Sequence, residues 1–223
     1  DYISKDVQSG SITDKKAGAY YILFNLFCLA MFASVMVNNL GLLWVCIELT
    51  TLASAFLVGF YNTKTSIEAA WKYIIICSVG IIFALFGTII FYYAASSAGA
   101  GKSLNWTDIV SAAGKLDKNI VKVAFIFIIV GYGTKAGLAP MHSWLPDAHS
   151  HAISPISALL SGVLLKTAIY AILRFAIIAS KSAGFEYCAK LFIIFGFISL
   201  IISAGFILIQ KNLKRLLAYS SIE

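Results

Sequence analysis

The chain has 223 residues, of which 60% are hydrophobic and 12% charged, with a net charge of +7 and a mean hydropathy of +0.88. Soluble domains carry roughly a quarter charged residues, so this composition excludes a soluble enzyme or binding module and defines an integral membrane protein. The basic balance does not point to nucleic acid, because Lys and Arg lie scattered in loops and at segment ends, where they anchor helices in anionic membranes.

Residues 1–18 are polar and lack the apolar core of a signal peptide. A hydrocarbon layer of about 30 Å needs about 20 helical residues, and six segments between residues 19 and 210 meet that length. They run over Ala19–Val37, closed by Asn38 and Asn39, then Leu40–Phe60 and Ile67–Ala95. A loop rich in Gly, Ser and Lys follows over Ser96–Asn119. Its NWTDIVSAAGKL stretch suits a short amphipathic interfacial helix anchored by Trp106. Ile120–Ala139, Ile153–Ala179 and Ala189–Ile209 complete the set. The fold class this defines is all-α, a polytopic transmembrane helix bundle. Lysines fall on both sides whichever way the helices are threaded, which leaves the orientation open.

All three prolines of the chain, Pro140, Pro146 and Pro155, lie in the stretch Gly131–Ser161. Proline removes a backbone donor and clashes with the preceding turn, so the helix through Lys135 is expected to break near Pro140. The segment between Pro140 and Pro155 reads either as a loop or as a half-helix that re-enters the membrane. The four cysteines, Cys28, Cys46, Cys77 and Cys188, lie in or beside apolar segments without CxxC spacing, and read as small core residues. No phosphate-binding or dinucleotide-binding motif is present.

Ionisable residues inside apolar segments single out the candidate site, because a charge at bilayer depth is costly. Glu48 lies near the middle of LLWVCIELTTLASAFL. It reads as a proton site or a counter-ion to a lysine, against the alternative of a glutamic acid hydrogen-bonding between helices. Lys135 stands among Gly131, Gly133 and Gly137, where an opened helix would offer carbonyls and water. The alternative is that its stem snorkels to the interface. Lys166 sits too deep in its segment to snorkel, with Ser161, Gly162 and Thr167 nearby for close approach and hydrogen bonds. Lys72 follows Glu68 at i, i+4, which suits either a functional lysine or an interfacial ion pair. His142, His149 and His151 cluster with Asp147 in the proline-rich stretch. No tetrahedral ligand set is fixed there, so proton relay or an interfacial place is favoured over a metal site.

The run TKAGLAPMHSWLPDAHSHAISPISALLSGVLLKTAIYAILRF closely resembles the central signature of the antiporter-like membrane subunits. These subunits occur in respiratory complex I, in group 4 membrane-bound hydrogenases and in multisubunit sodium/proton antiporters. LLWVCIELTTLASAFLVGFY resembles the family helix that carries its glutamate, and NLKRLLAYSSIE the start of a further repeat. The resemblance covers residues 19–223. TTLASAFLVGFY, EAAWKYIIICSVG and the terminal SSIE look most like the hydrogenase-4 component F type, while SGVLLKTAIYAILRF looks equally like a complex I chain.

The resemblance implies a core of about fourteen helices in two inverted repeats, each with a discontinuous helix. On that reading residues 19–210 form one repeat and 211–223 open the second. The chain starts without methionine and stops inside an apparent new helix, so it reads as part of a longer protein. Carried over by the resemblance, Glu48, Lys135 and Lys166 are the proton-translocating residues; Lys72, His142 and His149 are further candidates from the reading of the residues themselves. The implied function is a non-redox, proton-pumping subunit of an oxidoreductase complex in a prokaryotic plasma membrane. Quinone, iron–sulfur clusters or a nickel–iron centre would belong to partner membrane and peripheral subunits. A sodium/proton antiporter subunit and a structural membrane anchor are the alternatives.

Overall fold

The computed structural model describes residues 2–99 and 103–222, apart from the side chains of Tyr2 and Lys5. Among the described residues six helices, counting the interrupted Ser154–Ala183 as one, are long and apolar enough to cross a membrane. The described residues contain no strand, only a single bridge between Asn39 and Asn105. The segments expected from the sequence are thus all present as spans, with ends shifted by a few residues.

The polar start is not a plain tail: Tyr2–Gln8 forms a short helix (α1) whose Ile3 is buried. The first span, α2, covers Asp14–Met36, and α3 covers Leu40–Val58. Asn39 caps α3, its Oδ1 accepting from the backbone of Gly41 and Leu42 at 2.9 and 3.1 Å, which satisfies two of the donors a helix start leaves orphaned. The span α4 runs over Lys64–Ser97 and begins at Lys64 because Thr63 caps it, its hydroxyl accepting from Ser66 N. The expected interfacial helix is present as α5, Trp106–Ala112, continued by a 3₁₀ turn over Ala113–Lys115. Trp106 donates to the carbonyl of Arg174 at 2.9 Å and lies beneath that residue's guanidinium, so it ties the loop to the bundle.

The helix carrying Lys135, α6, spans Lys118–Ala136 and packs along α4. The two approach closely because glycines face the crossing. A Cβ on Gly80 would stand 2.5 Å from Thr134 Cβ, and one on Gly131 would stand 2.6 Å from Ala84 Cβ. Small residues are how membrane helices bring backbones together without a hydrophobic driving force.

The helix breaks where the sequence places the break, but by a different agent. It stops at Ala136, and Gly137 takes the left-handed conformation at φ 76°. The N–H of Leu138 bonds back to Gly133 O at 2.8 Å and that of Gly137 to Thr134 O at 3.2 Å, the two bonds of a Schellman cap. Pro140 lies three residues further on and does not end the helix. The proline-rich stretch is not a plain loop: α7 spans Trp144–His151 with Trp144, Leu145, Ala148 and His149 buried. Pro146 and Pro155 sit in the first turns of α7 and α8, where no intrahelical donor is lost.

The next span starts as α8, Ser154–Leu159, widens into a π-helical turn over Leu160–Leu164, and continues as α9, Leu165–Ala183. Then come α10, Phe185–Ile207, and the short α11, Leu213–Ser220, which lies against α7.

Candidate functional site

Three spans meet at one buried polar cluster. Lys135 arrives on the last turn of α6, and only 1% of its surface is exposed. Its ammonium donates to Thr51 Oγ1 of α3 at 2.9 Å and to the Tyr73 hydroxyl of α4 at 2.6 Å, and lies 4.8 Å from the centre of the Tyr73 ring. The lysine therefore does not snorkel. Nor does it take the free carbonyls that a broken helix was expected to provide. Two of those serve other donors: Gly133 O and Thr134 O take the cap bonds, and Thr134 O also accepts from the Trp144 indole at 2.8 Å. Trp144 also packs on the Tyr73 ring, with centroids 4.7 Å apart.

Glu48 lies one turn before Thr51 on α3 and is half-buried. Its Oε2 accepts from Thr51 Oγ1 at 3.1 Å and its Oε1 from Ser78 Oγ of α4 at 3.3 Å. Among the described residues no carboxylate lies within ion-pairing distance of the Lys135 ammonium. The structure thus joins Glu48 to Lys135, two of the charges singled out in the sequence, through the Thr51 hydroxyl and not as a direct pair. Behind this line, the Tyr73 hydroxyl lies 2.7 Å from Ser54 Oγ, and Ser54 in turn donates to Thr50 O at 2.6 Å.

The sequence gives no sign of Thr51, Tyr73 or Ser54, because hydroxyl residues are common in membrane helices and usually bond their own backbone. Burying an ammonium costs several kcal/mol even after relaxation. Two neutral hydroxyls and one aromatic face offset part of that cost.

Lys166 is not part of this cluster. It is exposed on the outer face of α9, in a stripe with the apolar Val163, Ile169 and Leu173, and no hydrogen bond or ion pair holds it among the described residues. The neighbours expected to serve it are otherwise engaged: Thr167 donates to Leu164 O, and Ser161 bonds Ser221 at the start of the π-helical turn.

Lys72 sits at one end of the bundle. It pairs with Glu68 at 2.8 Å, as the i, i+4 spacing predicts, and also with Asp147 of α7 at 3.3 Å. Asp147 takes a second cation, Arg215 of α11, at 2.9 Å. These bridges are largely solvent-facing, so water and salt screen them and each adds little to stability. Their value is positional: one carboxylate holds α4, α7 and α11 together.

His142 is half-buried in the turn before α7, its ring 6.4 Å from that of Tyr219, and burial lowers its pKa. His149 is buried, its Nδ1 2.7 Å from Ser157 Oγ. Neither histidine reaches Lys135. No group of three or more His, Cys, Asp and Glu is placed to hold a metal ion among the described residues.

Burial pushes the pKa of His149, which lies outside the six spans, down to about 4, with Lys214 adding to the effect. The folded state therefore holds His149 neutral at pH values where the unfolded chain, near the ordinary 6.5, takes up a proton. Its stabilising effect is complete above pH 6.5 and is lost as pH falls towards 4, by on the order of 3 kcal/mol. The thermal unfolding temperature in detergent is expected to drop between pH 7 and pH 4.5, and His149→Gln to flatten that drop. An unchanged pH slope in the variant would rule out His149 as its source.

Residues 37–223 match the family model described as NADH:quinone oxidoreductase/Mrp antiporter, TM, and the chain belongs to that family. It is 43% identical over 224 residues to a hydrogenase-4 component F homolog of Methylacidiphilum infernorum, a match covering 100% of this chain and 47% of the relative. It is 32% identical over 219 residues to NADH-quinone oxidoreductase subunit N of Desulforudis audaxviator, covering 94% of this chain and 41% of that protein. Among solved structures, a chain of the membrane-bound sulfane sulfur reductase, an archaeal respiratory membrane complex, aligns with a TM-score of 0.82 at 30% identity, covering 91% of this chain and 40% of that one. A chain of the Mrp complex from Dietzia aligns with a TM-score of 0.80 at 26% identity, covering 92% of this chain and 22% of that one. The chain thus spans about half the length of the curated relatives it matches. With six apolar spans and prokaryotic relatives, it is a multi-pass protein of the prokaryotic plasma membrane.

Proposed function

We propose that this chain forms the proton-translocating membrane part of a redox-driven complex of the hydrogenase or NADH:quinone oxidoreductase type. The observation that carries this reading is the buried Lys135 ammonium, linked to the Glu48 carboxylate through one hydroxyl. An amine and a carboxylic acid joined by one hydroxyl can exchange a proton, and their environment decides which keeps it. Electron transfer takes place in partner subunits, where quinone and metal clusters are bound. A change in shape or charge reaching α3 or α6 alters the Glu48–Lys135 relation, and the proton released from Lys135 passes on by way of Lys166. The outward Lys166 meets polypeptide packed against that face of α9. Lys72, His142 and His149 lie around α7, and their part is to hold that half-helix and to admit protons at its end.

A sodium/proton antiporter subunit would use the same residues without redox chemistry, a reading supported by the likeness to the Mrp complex. The match to the hydrogenase-4 component F homolog, which extends over the whole chain at higher identity, favours the redox-driven reading.

Glu48→Gln keeps the size of the side chain and removes its proton affinity. In the assembled complex it is expected to slow proton translocation at least about tenfold while the partner subunits still take up electrons. Translocation at the full rate in the variant would end this reading.

A further inference from the structure

We propose that the Thr51 hydroxyl is the proton relay between Lys135 and Glu48, and that the Tyr73 hydroxyl positions the ammonium without carrying a proton. The inference rests on the proposed function and names the link by which its Glu48–Lys135 pair exchanges a proton, a step apart from the onward release to Lys166. Lys135 donates to both hydroxyls, so each must send its own proton elsewhere, and the two onward routes differ in kind.

Ser54 gives its proton to the Thr50 carbonyl, so Tyr73 must be the donor to Ser54. A helix carbonyl neither keeps nor forwards a proton, and this branch ends there. Thr51 instead donates to Glu48 Oε2, and a carboxylate can keep the proton. Ser78 occupies the other carboxylate oxygen, Oε1, and leaves Oε2 to Thr51.

The step balances without a further reactant. A Lys135 N–H bond breaks as a new O–H bond forms at Thr51, and the former Thr51 O–H bond breaks as one forms at Glu48. Lysine ends as a neutral amine, glutamate as a neutral acid, and Thr51 as a hydroxyl again. The product removes two charges from a poorly solvated site, which keeps it close in energy to the starting pair. Thr51 is fully buried, so the link is a fixed side chain. A hydroxyl hands on a proton and cannot hand on an alkali cation, so this step is selective for protons over sodium.

The test uses the complete complex reconstituted in vesicles, with translocation followed in H₂O and in D₂O. Thr51→Val fills the same volume without a hydroxyl and is expected to slow proton movement at least about tenfold. Thr51→Ser is expected to restore most of the rate, together with the solvent isotope effect of the unmodified complex. Tyr73→Phe is expected to retain the larger part of the rate and the same isotope effect. Full-rate translocation in Thr51→Val, with Glu48→Gln slow in the same preparation, would overturn the relay alone. Full rates in both variants would overturn the proposed function beneath it. A Thr51→Ser variant as slow as Thr51→Val, although assembled, would also overturn the relay, since a hydroxyl would then not suffice.

Discussion

Lys135→Met is expected to abolish proton translocation through this subunit while leaving the protein as stable as before or more so. The two effects have one cause. Met matches the lysine stem in length and removes the ammonium whose burial costs several kcal/mol. The surrounding donors are not orphaned, because Thr51 still donates to Glu48 and Tyr73 still has Ser54. Glu48 keeps its hydrogen bonds from Thr51 and Ser78. The thermal midpoint in detergent is therefore expected to hold or to rise, by an amount on the order of 1 kcal/mol. A structural lysine would behave in the opposite way: its loss would lower the midpoint, and translocation would suffer only through poor assembly.

The second large effect lies at the crossing of α4 and α6. Gly131→Val places its Cβ 2.6 Å from Ala84 Cβ and against the α4 backbone, where no side-chain rotation gives relief. Overpacking a tight contact costs about 1–3 kcal/mol even when the neighbours can shift. Here the helices themselves must part, and parting them displaces Lys135 on α6 from both Thr51 and Tyr73. A strong fall in thermal midpoint or in assembled protein is expected, with translocation lost in whatever assembles. Gly18→Ala, whose added carbon meets nothing within 4 Å, serves as the control. Equal stability of the two variants would contradict the packing argument.

How much of this was legible in the sequence depends on range along the chain. The six spans were legible because a bilayer demands long apolar runs, and the errors at their ends came from caps. Thr63 starts α4 at Lys64, earlier than the apolar run begins. The break after Lys135 was legible in place and not in cause, because a positive φ at Gly137 leaves no stronger trace than a glycine, whereas a proline is conspicuous. Glu48 and Lys135 stood out because charge is rare at such depth.

The means of their connection was hidden. Thr51, Ser54 and Tyr73 are ordinary membrane residues until α3, α4 and α6 are set side by side. The ion pairs of Asp147 were hidden for the same reason, since its partners Lys72 and Arg215 are 75 and 68 residues away in the chain. Only the Lys72–Glu68 pair, one helical turn apart, could be read from spacing. Lys166 was legible as a charge within a span, but its outward direction depends on the turn of α9, which the π-helical residues before it reset.

The most direct measurement of the central claim is the number of protons moved per electron pair by the intact complex carrying Lys135→Met in sealed vesicles. The account predicts that electron transfer persists, at a reduced rate, while the ratio falls below that of the unmodified complex. An unchanged ratio at an unchanged rate would contradict it and leave Lys135 as a buried charge without a role in transport.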